Sequence, residues 1–353
     1  METNMDFIEK RKRWRKMLLM TSIALVVISV YTTTIGPADI SFKDAAGIIF
    51  GKIPFLQQWI DIDKYSEVHR TIIWSLRMPR VILAGLVGGA LGVVGATFQG
   101  FFKNPMADPS VIGVSSGAAL GATIVIVTGI GDSLGMMKIP TFSFFSALLT
   151  TWLVYALGRM GNKVVVHTLL LAGIALSSFM QAMISFLMVL NTDQMEKVYF
   201  WLMGSFQNTT WGKVGIAVPL ILLGVILLIF FAKELNAMVF GDSTAHHLGI
   251  DLERLKIVLL ILASLTIAGA VSVCGIIGFV GLIIPHIVRM MVGPDHRILL
   301  PMAFLVGGIF MVLTDTFART FFAPMEIPIG VITAMFGGPF FIYLLKKKKD
   351  SIF

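Results

Sequence analysis

The sequence is poor in charge and nearly free of cysteine. Only 14% of its 353 residues are Asp, Glu, Lys or Arg, against about a quarter in soluble globular domains. With 56% hydrophobic residues, too few polar side chains remain to coat a water-soluble fold, and a lipid solvent is the one that fits. The single cysteine, Cys274, excludes an internal disulfide and reads as a small packing residue inside an apolar run. The signatures of chemistry are missing too. There is no GxxxxGK[ST] loop to cradle the phosphates of ATP, and no HExxH, CxxC or GxSxG. His69, His167, His246, His247, His286 and His296 lie in or beside loops rather than together on one buried face. No catalytic residue, metal site or cofactor is therefore expected. Ionisable groups are also scarce within the apolar runs. Asp315 is the only carboxylate inside one, and a helix-end cap or an ion pair with Arg319 one turn later accounts for it. A proton- or sodium-coupled carrier keeps ionisable groups near the bilayer midplane. Their scarcity points to energy supplied by a partner protein.

What the sequence has in quantity is long apolar runs. A hydrocarbon core of roughly 30 Å takes about 20 helical residues per crossing. Backbone N–H and C=O groups find no partner in lipid, so each crossing closes its own hydrogen bonds as a helix. Continuous rather than alternating apolarity excludes a β-barrel. Ten crossings are predicted, at 17–36, 81–98, 111–130, 139–157, 164–190, 214–232, 257–274, 276–292, 298–317 and 327–345. The run 276–292 carries Pro285 and Arg289 and is barely long enough, so it is expected to be short or broken. Gly85, Gly88, Gly89, Gly92 and Gly95 recur every three or four residues and form a small-residue face for close helix packing.

The net charge of +8 gathers at the ends and between runs, which is a topology signal rather than a nucleic-acid footprint. Lys10, Arg11, Lys12, Arg13, Arg15 and Lys16 precede the first run, and Lys346 to Lys349 follow the last. The first run continues to Gly36-Pro37 without a small-residue cleavage site, so it reads as a retained span rather than a signal peptide. With both termini placed in the cytoplasm, inner segments hold 18 lysines and arginines and outer segments hold 10. The predicted organisation is a cytoplasmic basic N-terminus (1–16), one transmembrane domain (17–345) and a cytoplasmic basic tail (346–353). Within the domain lie an outer loop (37–80) and a cytoplasmic segment (233–256). The cell membrane of a bacterium, crossed many times, is the expected location.

Three stretches carry a resemblance. They are Leu76-Arg77-Met78-Pro79-Arg80 with VILAGLVGGALGVVGATFQGFFKNPMADPSVIGVSSGAALGA (81–122), GIIGFVGLIIPHIVRMMVGPDHRILLP (275–301), and EIPIGVITAMFGGPFFIYLL (326–345). In order and spacing they resemble the FecCD/BtuC-type permease family, the transmembrane subunits of iron-siderophore, haem and cobalamin ABC importers. The resemblance covers nearly everything after residue 70. It implies an all-α fold of about ten transmembrane helices of the type II ABC importer kind. It also implies a second permease subunit, identical or merely similar, two ATP-binding subunits on the cytoplasmic side, and an extracellular or periplasmic substrate-binding protein. The cargo it implies is a ferric siderophore or related iron chelate, with haem or cobalamin as the alternative. A secondary transporter is the competing class.

The resemblance further implies roles for particular residues. Arg77, Arg80 and Arg319 would dock the glutamates of the binding protein, since a planar guanidinium holds a carboxylate by two bonds. Ala245, His246, Leu248 and Gly249, in the segment Gly241 to Gly249, would form the coupling helix that sits in a groove of the ATPase. Gly241-Asp242 stands where such segments often begin with Glu. Ser177, Ser178, Gln181 and Ser185, among Met180, Met183 and Met188, would line the pore. Packing inside the bundle, with the serines bonded back to their own helix, is the other reading of that stretch.

Overall fold

The computed structural model describes residues 4–161, 163–241, 245, 247 and 249–350. Among the described residues, ten apolar helices follow one another where the ten apolar runs lie. They are α1 (Asn4–Thr34), α2 (Met78–Phe101), α3 (Val114–Thr128), α4 (Lys138–Gly158), α5 (Val166–Leu190), α6 (Trp211–Phe230), α7 (Leu252–Cys274), α8 (Val280–Val292), α9 (His296–Thr320) and α10 (Ile329–Asp350). Seven of the apolar helices are long and apolar enough to cross a bilayer, while Val114–Thr128, Val280–Val292 and Ile329–Leu344 are shorter. The 15 residues of α3 and 13 of α8 reach about 22 and 20 Å at 1.5 Å per residue. Among the described residues, strand structure is confined to a two-residue antiparallel pairing of Arg159–Met160 with Lys163–Val164.

Local chemistry sets the helix ends. Pro79 sits in the first turn of α2, where its missing N–H costs nothing. Asp251 accepts from the Arg254 N–H at 3.2 Å to open α7, and Asp295 accepts from the Arg297 N–H at 3.0 Å to open α9. Between α7 and α8 the chain is not helical, with Gly275 at φ +78° and Phe279 at φ +68°. The short crossing expected at 276–292 is therefore a helix that starts late.

The bundle is built around α2. In the most apolar stretch of the helical run Glu67–Phe101, 83% of residues are buried, against 17% in α1 and α5. The glycine face of α2 lets α8 and α9 come this close. A Cβ on Gly88 would overlap the Gly307 carbonyl, and one on Gly307 would overlap the Gly88 carbonyl. A Cβ on Gly95 would fall on the backbone of Gly281 in α8. Lipid tails are as apolar as leucine, so such backbone-close packing, rather than hydrophobic force, holds helix to helix.

The segment between α1 and α2 has more order than its expected status as a loop. It holds a helix, Phe42–Gly51, whose first turn is capped by Ser41 Oγ accepting from the Asp44 N–H at 3.1 Å. A wide π-type turn, Thr71–Arg77, leads into α2. Val30, Ile40, Ala45, Ile48, Ile49 and Ile73 form a small core of their own beneath it. These pieces are too short and too polar to stand out as apolar runs. A further short helix, Ala232–Phe240, follows α6.

Candidate functional site

The two ends of the bundle carry different polar equipment. At the end where α1 and α9 finish and α2 starts, Arg77, Arg80 and Arg319 come together around a recess of about 290 Å³ that Gly36, Pro37 and Glu326 also line. The last carbonyls of α1 have no partner within the helix, and two of the arginines cap them. Arg77 Nη1 donates to the Thr33 carbonyl at 2.7 Å and to that of Thr34 at 3.2 Å. Arg319 donates to the Ile35 carbonyl at 2.8 Å and to that of Thr32. Guanidinium groups are favoured there because the C-terminal end of a helix is its negative end.

Arg80 takes both nearby carboxylates. Its Nε and Nη2 donate to Asp315 at 2.9–3.1 Å, and its Nη1 donates to Glu326 at 3.0–3.1 Å. The ion pair expected from the spacing of Asp315 and Arg319 is thus made by Arg80 instead. Helix packing decides this: α2 and α9 lie side by side along their glycines, which sets Arg80 beside Asp315, while Arg319 turns to α1. Asp315 is only 2% exposed. Three cations against two carboxylates leave the recess one positive charge in excess. The pairing of Glu326 with Arg80 gave no signal in the sequence, because nothing local connects residues 246 positions apart.

At the opposite end, Ala232–Phe240 runs into the segment expected to couple. Ala245 is buried, its N–H donates to the Gly241 carbonyl at 3.1 Å, and its carbonyl accepts from the Ile250 N–H at 3.1 Å. Gly249 is exposed at φ +75°, a left-handed conformation that closes a helical turn. His246 and Leu248, with Asp242, Ser243 and Thr244, lie outside the described residues.

Asn236, which sequence reasoning passed over, ties this region to the start of α9. Its Nδ2 donates to Asp295 Oδ1 at 2.8 Å, and its Oδ1 accepts from the His296 N–H at 2.9 Å. Arg297 closes on the same carboxylate. Burial works against the Asp295 carboxylate, but the hydrogen bonds from Arg297 and Asn236 hold it down at about 2. Stability drawn from this group is complete above its unfolded value of about 3.9 and is lost only as pH falls toward 2. The clamp therefore stays charged at every physiological pH.

The residues expected to line a pore lie along α5. Ser178, Gln181 and Ser185 are exposed, and Ser177 is half-buried beside Gly113. Ser185 Oγ donates back to the Gln181 carbonyl at 3.0 Å. The same helix exposes Phe179, Met183 and Phe186, and α10 exposes Met335, Phe336 and Ile342. In one chain these faces have no protein partner among the described residues.

The family model described as the FecCD transport family matches residues 22–347. The chain belongs to the FecCD transport family. It is 38% identical to the cobalamin import system permease protein BtuC of Halobacterium salinarum, over 94% of this chain and 90% of that one. It is 36% identical to the hemin transport system permease protein HmuU of Yersinia pestis, over 96% and 97% of the two chains. Its fold matches a solved metal-chelate-type ABC transporter in an inward-facing conformation with a TM-score of 0.81 at 31% identity, covering 94% of this chain and 99% of that one. The chain is thus a multi-pass FecCD permease subunit of an ABC importer, the class in which a separate subunit hydrolyses ATP and a substrate-binding protein delivers the cargo.

Proposed function

We propose that this permease carries a ferric siderophore or related iron chelate inward, through a pore formed with a second permease subunit. The contrast between the two ends of the bundle carries this reading. The end with the net-positive arginine recess faces outward and receives the binding protein. The end with the basic N-terminus and tail faces the cytoplasm, as the positive-inside rule directs, and there two ATPase subunits grip the segment around Ala245, His246, Leu248 and Gly249. The exposed α5 and α10 faces meet the second subunit, with Ser177, Ser178, Gln181 and Ser185 toward the pore. ATP binding moves the coupling segments, and the two bundles tilt as rigid bodies to open the pore alternately. Membership in a family with a haem-carrying relative, and likeness to a metal-chelate transporter, support the cargo. Haem itself and cobalamin are the alternative cargoes. Uptake of a radiolabelled ferric siderophore by proteoliposomes of the full complex tests it, with excess unlabelled haem or cobalamin as competitors. Iron uptake that neither competitor reduces supports the reading, and uptake of cobalamin alone ends it.

Two substitutions probe the ends separately. Arg319→Glu places a carboxylate where the recess presents a cation, so capture of the loaded binding protein should fall about tenfold, chiefly through slower association that salt slows less than in the parent protein. Surface-immobilised permease measures this, and unchanged capture removes Arg319 from docking. Gly249→Pro demands φ near −65° where the chain adopts +75°. The assembled complex should then still hydrolyse ATP, while uptake per ATP drops by about an order of magnitude. Normal coupling in that variant counts against the segment.

A further inference from the structure

A recess of about 540 Å³ opens where α6 begins and α7 ends, lined by Ile139 and Pro140 of α4, Trp201 of the short helix Met195–Leu202, Lys213 of α6, and Ser272 and Cys274 of α7. Trp211, two residues before Lys213, donates its indole N–H to the Trp74 carbonyl at 2.9 Å, in the turn that leads into α2. The recess therefore lies at the same end of the bundle as the three arginines, at the depth where the chain passes from polar loop to apolar helix. Lys213 is half-buried there. Among the described residues no carboxylate pairs with it. Its titratable neighbour is Cys274, whose thiol donates to the Ala270 carbonyl at 3.1 Å and so brings no negative charge. The other charges at the recess have counterparts. Glu196 and Lys197, exposed neighbours on its rim, oppose each other, and Lys138, beside Ile139, is held by Asp132 at 2.6 Å.

A half-buried ammonium without a counter-ion is costly. Lys213 also stands in the first turn of α6, the positive end of the helix dipole, where a cation is disfavoured and an anion favoured. Gln207 and Asn208 line the same recess and add neutral amide donors. Around these polar groups the wall is apolar and aromatic, with Trp201 half-buried against the core and Met136 and Phe200 exposed. Deeper, α7 packs against both α4 and α6, and these two helices expose Phe145 and Leu149 on one and Ile216 and Leu223 on the other. Donors at the interface above apolar helix faces match a phosphate carried on acyl chains. We propose that this recess binds one anionic phospholipid, its phosphate on Lys213 and its chains on the exposed faces of α4 and α6. A zwitterionic lipid brings its own cation into the recess and gains less. Basic pockets between transmembrane helices and aromatic belts at the interface act in this way in general. The lipid would tie the short helix that follows α5 to the ends of α6 and α7.

The test uses the full chain in neutral detergent, stripped of lipid and titrated with phosphatidylglycerol or phosphatidylcholine. Retained lipid is read by native mass spectrometry and stabilisation by thermal unfolding. One phosphatidylglycerol should be retained, with affinity about fivefold or more above phosphatidylcholine. Lys213→Gln should abolish that preference, and Lys213→Arg should keep it. Lys52→Gln removes the same charge from an exposed site outside the recess and should keep it too. Millimolar inorganic phosphate should fail to displace the lipid, because it cannot use the apolar faces. Equal binding of the two lipids, equal loss in Lys213→Gln and Lys52→Gln, or displacement by inorganic phosphate overturns the proposal. So does full phosphatidylglycerol binding in Lys213→Gln accompanied by weakened capture of the binding protein, which would assign the recess to a protein partner.

Discussion

Arg80→Ala should destabilise the protein by about 3–5 kcal/mol, the loss expected when one partner of a buried ion pair is removed. Asp315 gives both its oxygens to Arg80 and has 2% of its surface exposed, so its carboxylate would be left buried without its main counter-charge. Glu326 is partly exposed and would turn to water, so it adds little to the loss. The pair is not itself a source of great stability, because desolvation offsets most of the attraction. Arg80→Met combined with Asp315→Leu should therefore recover most of what Arg80→Ala loses. Unfolding of purified variants in one detergent measures both. A single-variant loss under about 1 kcal/mol would mean that water reaches Asp315.

Gly95→Leu should be worse tolerated than any other glycine change along α2. Even the Cβ falls on the Gly281 backbone, and a backbone cannot swing aside as a side chain can. The α2–α8 contact would have to open, at a cost of about 3 kcal/mol or more, and folded protein should be nearly lost from membranes. Gly85→Ala is the matched control. Its Cβ would meet Val312 at 3.6 Å, an ordinary contact, so its effect should stay within about 0.5 kcal/mol. Folded yield by size-exclusion profile separates the two, and equal yields would dissolve the close-packing account.

These expectations show where sequence reading worked and where it stopped. The ten helices were legible because lipid demands long apolar runs, and Pro285 with Arg289 in a run of bare length pointed to a short or broken crossing at 276–292. The glycine face of α2 was legible as a face, since its spacing is local. Its partners were not, because Gly281 and Gly307 are identified only once α8 and α9 are placed. The same limit misdirected Asp315: spacing offered Arg319 one turn away, whereas the fold supplied Arg80 from a helix 235 residues earlier. Asn236 was invisible for a related reason. A lone asparagine in a short helix means nothing until the start of α9 is brought against it. The arginines at 77, 80 and 319 were singled out only through family likeness, and the structure adds that they surround one recess and are held there by backbone carbonyls and carboxylates.

The arrangement also bears on how force passes through the subunit. Asn236 joins the helix leading into the proposed coupling segment to the first turn of α9, and α9 lies along α2 to the arginine recess at the other end. Rigid helices clamped at both ends transmit a tilt rather than absorb it, which suits a gate moved from outside.

That dependence on outside force is the centre of the account, and one reconstitution tests it most directly. Proteoliposomes containing the permease, supplied with loaded binding protein on the recess side, are assayed for cargo accumulation with and without the ATPase subunits. The account predicts accumulation only when ATPase and ATP are both present, whatever proton or sodium gradient is imposed. Accumulation driven by an ion gradient in vesicles lacking the ATPase would contradict it.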